Sequence, residues 1–183
     1  LKDNLKKIAK RLSKKIDDLQ IIVLDRPRHD NLLYEIRSIG AKVKLISDGD
    51  VAAGILAALP DTDIDVLMGI GGTPEGVITA AAILCLGGAI QGKAWPRDQE
   101  EKEAAISHGL DIEKIYSTED LVGTKDVFFA ATGASNGDLL KGVRFSPDYA
   151  TTQSLVIRSR SNTIRWIDAK HDLTKLNKLT ISK

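Results

Sequence analysis

The feature that most constrains this chain is the stretch Ile64-Asp65-Val66-Leu67-Met68-Gly69-Ile70-Gly71-Gly72-Thr73-Pro74-Glu75-Gly76-Val77. A short apolar run gives way to a glycine-rich turn and then to residues that start a helix. Val66, Leu67 and Met68 suit a buried strand. Gly69, Gly71 and Gly72 permit a sharp turn and let a ligand come close to backbone amides. Thr73 is the predicted N-cap and Pro74 the first helical residue. Ala80 to Leu86 continues that helix. Strand, glycine loop and helix N-terminus in this order favour an anion, because unpaired N–H groups and the helix dipole face the loop. The spacing matches neither the P-loop nor the dinucleotide fingerprint.

Glu75 lies in the first turn of the predicted helix. One reading is a carboxylate that complements the dipole. The sharper reading places it in the same pocket as the loop. A carboxylate beside a phosphate then calls for a cation between them, with Mg²⁺ or Mn²⁺ suited to oxygen ligands.

The same pattern precedes this stretch twice. Gln20 to Leu24 is an apolar strand, followed by Asp25-Arg26-Pro27-Arg28-His29 and a helix from Asp30 to Ser38, with Gly40 as its C-cap. Ala41 to Ile46 is the second strand, followed by Ser47-Asp48-Gly49-Asp50 and a helix to Leu59. Ile64 to Met68 is the third. Strands alternating with helices of this length imply an α/β fold with a parallel sheet covered by helices. Loops that follow parallel strands gather at the carboxyl edge of the sheet, where ligands bind. The three loops carry two arginines, two aspartates, and a glycine turn with a glutamate. Arginine suits phosphate, aspartate suits sugar hydroxyls, and amides with a metal-bound glutamate suit a second anion. Singly, each loop also has a plain account: surface charges around a rigid proline, or a cap at Ser47 or Asp48. Their meeting on one edge favours a site for a polyhydroxylated phosphate compound.

Residues 2 to 18 read as one amphipathic helix, with Leu1, Leu5, Ile8, Leu12, Ile16 and Leu19 on its apolar side. After the glycine loop's helix, Gly87 to Gly92 is a turn into a short strand, and Gln99 to His108 a charged helix. Lys114 to Tyr116 is a short strand, Asp126 to Ala131 a buried strand, and Thr132 to Asp138 a second glycine-bearing loop. Thr152 to Arg158 and Thr163 to Asp168 form a hairpin about residues 159–162. The 183 residues suffice for one sizeable core and are read as a single lobe, 1–183. A net charge of +1 gives no reason to expect nucleic acid or an acidic membrane surface. The lone Cys85 excludes an internal disulfide and is expected to be a buried small hydrophobe. His29, His108 and His171 make no metal-ligand spacing, and Trp95 and Trp166 are read as packing residues. No apolar segment spans a membrane and no signal peptide is visible, so a cytoplasmic location is expected. The first residue is Leu, which suggests a fragment or a processed product.

Taken in order, the loops above, Gln91-Gly92-Lys93-Ala94-Trp95-Pro96-Arg97, Ala131-Thr132-Gly133, Gly137-Asp138-Leu139-Leu140 and Thr152-Gln153-Ser154-Leu155-Val156 resemble the class II fructose-1,6-bisphosphatases. These are bacterial enzymes of the lithium-sensitive, metal-dependent sugar phosphatase superfamily. The resemblance runs from about Leu19 to His171 and implies the C-terminal part of the sugar-phosphatase fold. It implies hydrolysis of the 1-phosphate of fructose 1,6-bisphosphate in gluconeogenesis, with Mg²⁺ or Mn²⁺. Some members also act on sedoheptulose 1,7-bisphosphate. By motif, Arg26, Pro27 and Arg28 would meet the distal phosphate, and Asp48, Gly49 and Asp50 would hold sugar hydroxyls. Gly72 would contact substrate and Glu75 would bind metal. A homo-oligomer is also implied.

In the family, most metal-binding Asp and Glu residues, and the threonine that positions the attacking water, precede the matched region. No catalytic residue is therefore identified in this chain, and a missing N-terminal catalytic segment or chain is the implied partner. Asn136 stands where many relatives carry Asp and receives no role. Metal ions must neutralise charge and activate water in phosphate hydrolysis, so the isolated lobe is expected to bind sugar phosphate weakly and hydrolyse it hardly at all. The rival is a non-catalytic sugar-phosphate-binding module; a nucleotide-binding domain is disfavoured by the missing fingerprints.

Overall fold

A computed structural model describes residues 1–47 and 49–180. The elements are α1 (Lys2–Arg11), β1 (Gln20–Leu24), α2 (Asp30–Ile39), β2 (Lys42–Ile46), α3 (Asp50–Ala58), β3 (Val66–Leu67), α4 (Thr73–Leu86), β4 (Gln91–Lys93), α5 (Gln99–Ser107), β5 (Ile115–Ser117), α6 (Thr118–Val122), β6 (Phe128–Thr132), β7 (Arg144–Phe145), β8 (Tyr149–Arg158), β9 (Thr163–Asp172) and α7 (Leu173–Thr180). Strands β2, β1 and β3 form a parallel sheet in that order. Strand β1 is central and covered on both sides, which explains its unbroken apolar sequence. Ile21 and Val23 pack with Leu5 and Ala9 of α1 and with Leu33 and Ile36 of α2. Ile22 faces the other way, onto Ala53 of α3.

Helices α3 and α4 also bury a second surface. Ile55, Ala82 and Cys85 pack on Leu155 and Ile157 of β8. An antiparallel sheet thus covers the far side of these helices. In it β9 pairs with the whole of β8 on one edge, while β6 and β7 share the other edge. The layers run α1 and α2, parallel sheet, α3 and α4, antiparallel sheet. The mixed α/β expectation and the hairpin about residues 159–162 both hold, with Asn162 in the left-handed region at φ 46°.

Several boundaries differ from expectation. The first helix ends at Arg11, not residue 18. Ser13 takes φ 55°, and the Lys14 N–H closes back on the Ala9 carbonyl at 2.9 Å. A single 3₁₀ turn, Ile16–Asp18, then leads into β1. Strand β3 is shorter than Ile64 to Met68, although Asp65 and Met68 donate to the Gln20 and Ile22 carbonyls at 2.9 and 3.1 Å. Strand β6 is not buried throughout. Phe129 and Ala131 face the α4 layer while Phe128 and Thr132 face outward, because only one side of this sheet is covered. Trp95 and Trp166 are 69% and 47% exposed, so neither is a core packing residue. Cys85 is fully buried, and burial pushes its thiol pKa up, as expected for an inert small hydrophobe. Among the described residues no helix is long and apolar enough to cross a membrane.

Candidate functional site

The first loop takes its shape from its proline. Arg26 precedes Pro27 and is held extended at φ −141° and ψ 141°. Pro27–His29 then makes one 3₁₀ turn, closed by the His29 N–H on the Arg26 carbonyl at 2.8 Å. This turn sends Arg26 and Arg28 in different directions. Arg26 Nη1 donates to the Asp25 carbonyl at 2.9 Å and stays local. Arg28 Nε donates to the carbonyl of Ile70, in the glycine loop, at 2.9 Å. Its terminal nitrogens make no protein hydrogen bond among the described residues, so the fork is open to an outside acceptor.

The second loop, after β2, enters α3 through Gly49, whose φ of 95° is the left-handed conformation that glycine tolerates best. Gly49 is the N-cap of α3 and has no side chain to cap with, and Ser47 is not the cap. Asp48 lies outside the described residues. Asp50, half-buried, opens α3 and turns its carboxylate onto the third loop. A Cβ placed on Gly71 would come within 2.8 Å of Asp50 Oδ2.

The third loop leads from β3 into α4, with Gly72 rather than Thr73 at the N-cap and Thr73 as the first helical residue. The expected threonine cap is absent because the extended Gly72, φ −71° and ψ 150°, already makes the turn. Among the described residues no side chain caps α4, which leaves its first N–H groups without a side-chain acceptor there. Glu75 is exposed, and its carboxylate folds back over Gly72, in the space that a Cβ there would fill.

Three successive residues of one loop are therefore each met by a different candidate group. Ile70 meets Arg28, Gly71 meets Asp50, and Gly72 meets Glu75. Glycine at 71 and 72 is what lets the two carboxylates lie against the backbone. Among the described residues no hydrogen bond or ion pair ties Arg26 or Pro27 to the loop. The site is an open edge, since Gly71 to Glu75 are all exposed. Two shallow recesses lie elsewhere, one beside Leu33 and Tyr34 and one between Lys141, Arg144 and Lys170.

Among the described residues no three His, Cys, Asp or Glu side chains converge to hold a metal. Among the described residues Glu75 makes no ion pair, and it fits as a single oxygen ligand. It does not make a divalent site by itself.

One residue of the site was set aside in the sequence. His29 is 1% exposed and touches both the end of β1 and the glycine loop. Its signal was its phase: His29, Leu33 and Ile36 are spaced by four and three, which puts the ring on the buried side of α2. Asn136 has a local structural role, accepting from the Gly142 N–H at 3.0 Å.

The profile of the bacterial fructose-1,6-bisphosphatase family, glpX-encoded, matches residues 1–171. The chain belongs to this family. The match begins at residue 1, so it takes in α1 as well as the stretch from about Leu19 that carried the resemblance. The fructose-1,6-bisphosphatase class 2 of Haemophilus influenzae is 43% identical over 98% of this chain and 58% of that protein. A D-fructose 1,6-bisphosphatase class 2/sedoheptulose 1,7-bisphosphatase of Synechococcus sp. (strain JA-2-3B'a(2-13)) is 44% identical over 92% of this chain and 52% of that protein. The chain thus spans a little over half the length of these fructose-1,6-bisphosphatase relatives.

Proposed function

We propose that this chain supplies the sugar-phosphate-binding loops and one metal ligand of a class II fructose-1,6-bisphosphatase. The reaction is hydrolysis of fructose 1,6-bisphosphate to fructose 6-phosphate and phosphate, a step of gluconeogenesis in the cytoplasm. The observation that carries this reading is the convergence of Arg28, Asp50 and Glu75 on Ile70–Gly72 in a chain of this family.

The roles follow from the chemistry of each group. The open fork of Arg28 suits a bidentate contact with the phosphate that is not cleaved. Asp50, together with Asp48 and Gly49, accepts from sugar hydroxyls. The exposed backbone at Gly72 and the uncapped start of α4 suit an anion. Two carboxylates beside a phosphate repel it, which is the electrostatic reason for a cation at Glu75. When bound, Mg²⁺ or Mn²⁺ would neutralise charge on the transferred phosphate and activate water. Further ligands and the groups that position that water come from outside this chain, in keeping with a C-terminal part of the sugar-phosphatase fold. A dual activity that includes sedoheptulose 1,7-bisphosphate is the second reading, favoured by the name of the Synechococcus relative.

Phosphate release from fructose 1,6-bisphosphate, with and without Mn²⁺, tests the reading on the full-length protein and on residues 1–183 alone. The full-length protein should turn over only with metal, and residues 1–183 should scarcely turn over. Full-length protein that binds the sugar phosphate but never releases phosphate would support the binding-module reading instead.

A further inference from the structure

The backbone of Ile70 is held at both of its polar groups by consecutive residues of another loop. Arg28 Nε donates to the Ile70 carbonyl at 2.9 Å, and His29 Nε2 accepts from the Ile70 N–H at 2.8 Å. The other ring nitrogen, Nδ1, donates to the Leu24 carbonyl at 2.8 Å. A carbonyl can only accept and an amide N–H can only donate. These partners therefore dictate a single neutral tautomer, with the proton on Nδ1 and the lone pair on Nε2. The ring is a strut between the last residue of β1 and the first residue past Gly69. Gly69 lies flat against it: a Cβ there would come within 3.1 Å of His29 Cε1.

We propose that His29 is a positioning residue for the substrate-binding loop. It fixes Ile70, and through Ile70 both the carbonyl that aims Arg28 and the Gly71–Gly72 backbone that faces the ligand. The proposal rests on the reading of Ile70–Gly72 as a sugar-phosphate site. A purely core role would need only an apolar side chain of similar volume. Instead both ring nitrogens are used, in a site 1% exposed, one on the end of β1 and one on the glycine loop.

The two nitrogens can be separated by substitution in the full-length protein. Asn places its amide near the position of Nδ1, so His29→Asn keeps a donor for Leu24 and loses the acceptor for Ile70. Gln reaches the position of Nε2, so His29→Gln keeps an acceptor for Ile70. His29→Asn should raise KM for fructose 1,6-bisphosphate about tenfold, the size of one ordinary hydrogen bond, with kcat within about twofold. His29→Gln should recover most of that loss. Amide hydrogen exchange at Ile70 should speed up in His29→Asn and not in His29→Gln. Gly69→Ala pushes on the same ring and should raise KM in the same sense, which keeps the test open if His29→Asn does not fold. Parent KM in the folded variants, or a loss in Tm without a KM change, overturns the proposal. If the parent releases no phosphate at all, the phosphatase reading fails separately. The strut is then judged on the Kd for inorganic phosphate, which His29→Asn must weaken about tenfold and His29→Gln must restore, and equal Kd values overturn it.

Discussion

Arg28 and Glu75 show how much depends on single side chains at this site. Arg28 uses Nε on the protein, and its terminal nitrogens make no hydrogen bond among the described residues. A charged hydrogen bond contributes on the order of 1.5–3 kcal/mol, so Arg28→Ala should weaken binding roughly tenfold to a hundredfold. The loss should fall on KM if the contact is the same in ground and transition states. Arg28→Lys should recover only part, since an ammonium cannot make the forked contact. With a substrate that lacks the distal phosphate, Arg28→Ala and the parent should perform alike; equal damage there would mean that this arginine does not read that phosphate. Glu75→Gln keeps size and removes charge. Most turnover at low metal should disappear while the protein stays folded, because the carboxylate is exposed and makes no ion pair among the described residues. Normal metal dependence with a small loss of stability, about 0.3–1 kcal/mol, would instead identify Glu75 as a dipole partner only. The loops were legible in the sequence because Arg28, Asp50, Gly72 and Glu75 follow predicted parallel strands. His29 was not legible as a site residue, because its role depends on a contact across 41 positions with Ile70. Arg26 matched the motif, and Nη1 of its side chain donates to the carbonyl of its own neighbour Asp25.

At the scale of elements, the tight spots are where helices touch. Gly54 of α3 faces Thr79 of α4, and a Cβ there would collide with the threonine methyl. In an exposed helix Gly→Ala gains about 1 kcal/mol. Here overpacking should reverse the sign, and Gly54→Ala should lower stability by about 1–3 kcal/mol in denaturant unfolding. Unchanged or increased stability would mean that α3 and α4 sit farther apart. Helix α6 carries a different device. Ser117 Oγ accepts from the Asp120 N–H, and Asp120 Oδ2 accepts from the Ser117 N–H at 2.9 Å. The Lys114 ammonium, 2.6 Å away, is the main reason that the Asp120 carboxyl is held down at about 2, against an ordinary 3.8. A lowered pKa adds stability above the ordinary value, and that contribution fades as pH falls from about 3.8 through about 2. An NMR titration of Asp120 should give a midpoint near that lower figure, and Lys114→Ala should move it upward. Helix and strand periods fixed most elements in advance. Their ends were less legible, since Ser13 breaks the first helix through a left-handed turn that nothing in its apolar spacing announces.

For the whole molecule, the layered order explains why the site lies where it does. Strand β1 points Arg28 and His29 at the carboxyl edge, β2 delivers Asp50, and β3 delivers the glycine loop. The α3 and α4 layer, pinned from behind by Leu155 and Ile157, holds the other two parts of the site at their helix starts. The parallel half of this arrangement could be read from the sequence. The stacking of the antiparallel sheet on α3 and α4 could not, because it depends on contacts between Ile55, Cys85 and Leu155 that lie far apart in the chain. The central claim is that a sugar bisphosphate binds where these three loops meet. Hydrogen exchange of the full-length protein, with and without fructose 1,6-bisphosphate and Mn²⁺, tests it most directly. Protection should concentrate in residues 25–30, 47–51 and 69–76. Protection centred instead on the recess between Lys141, Arg144 and Lys170, with those three segments unchanged, would contradict it.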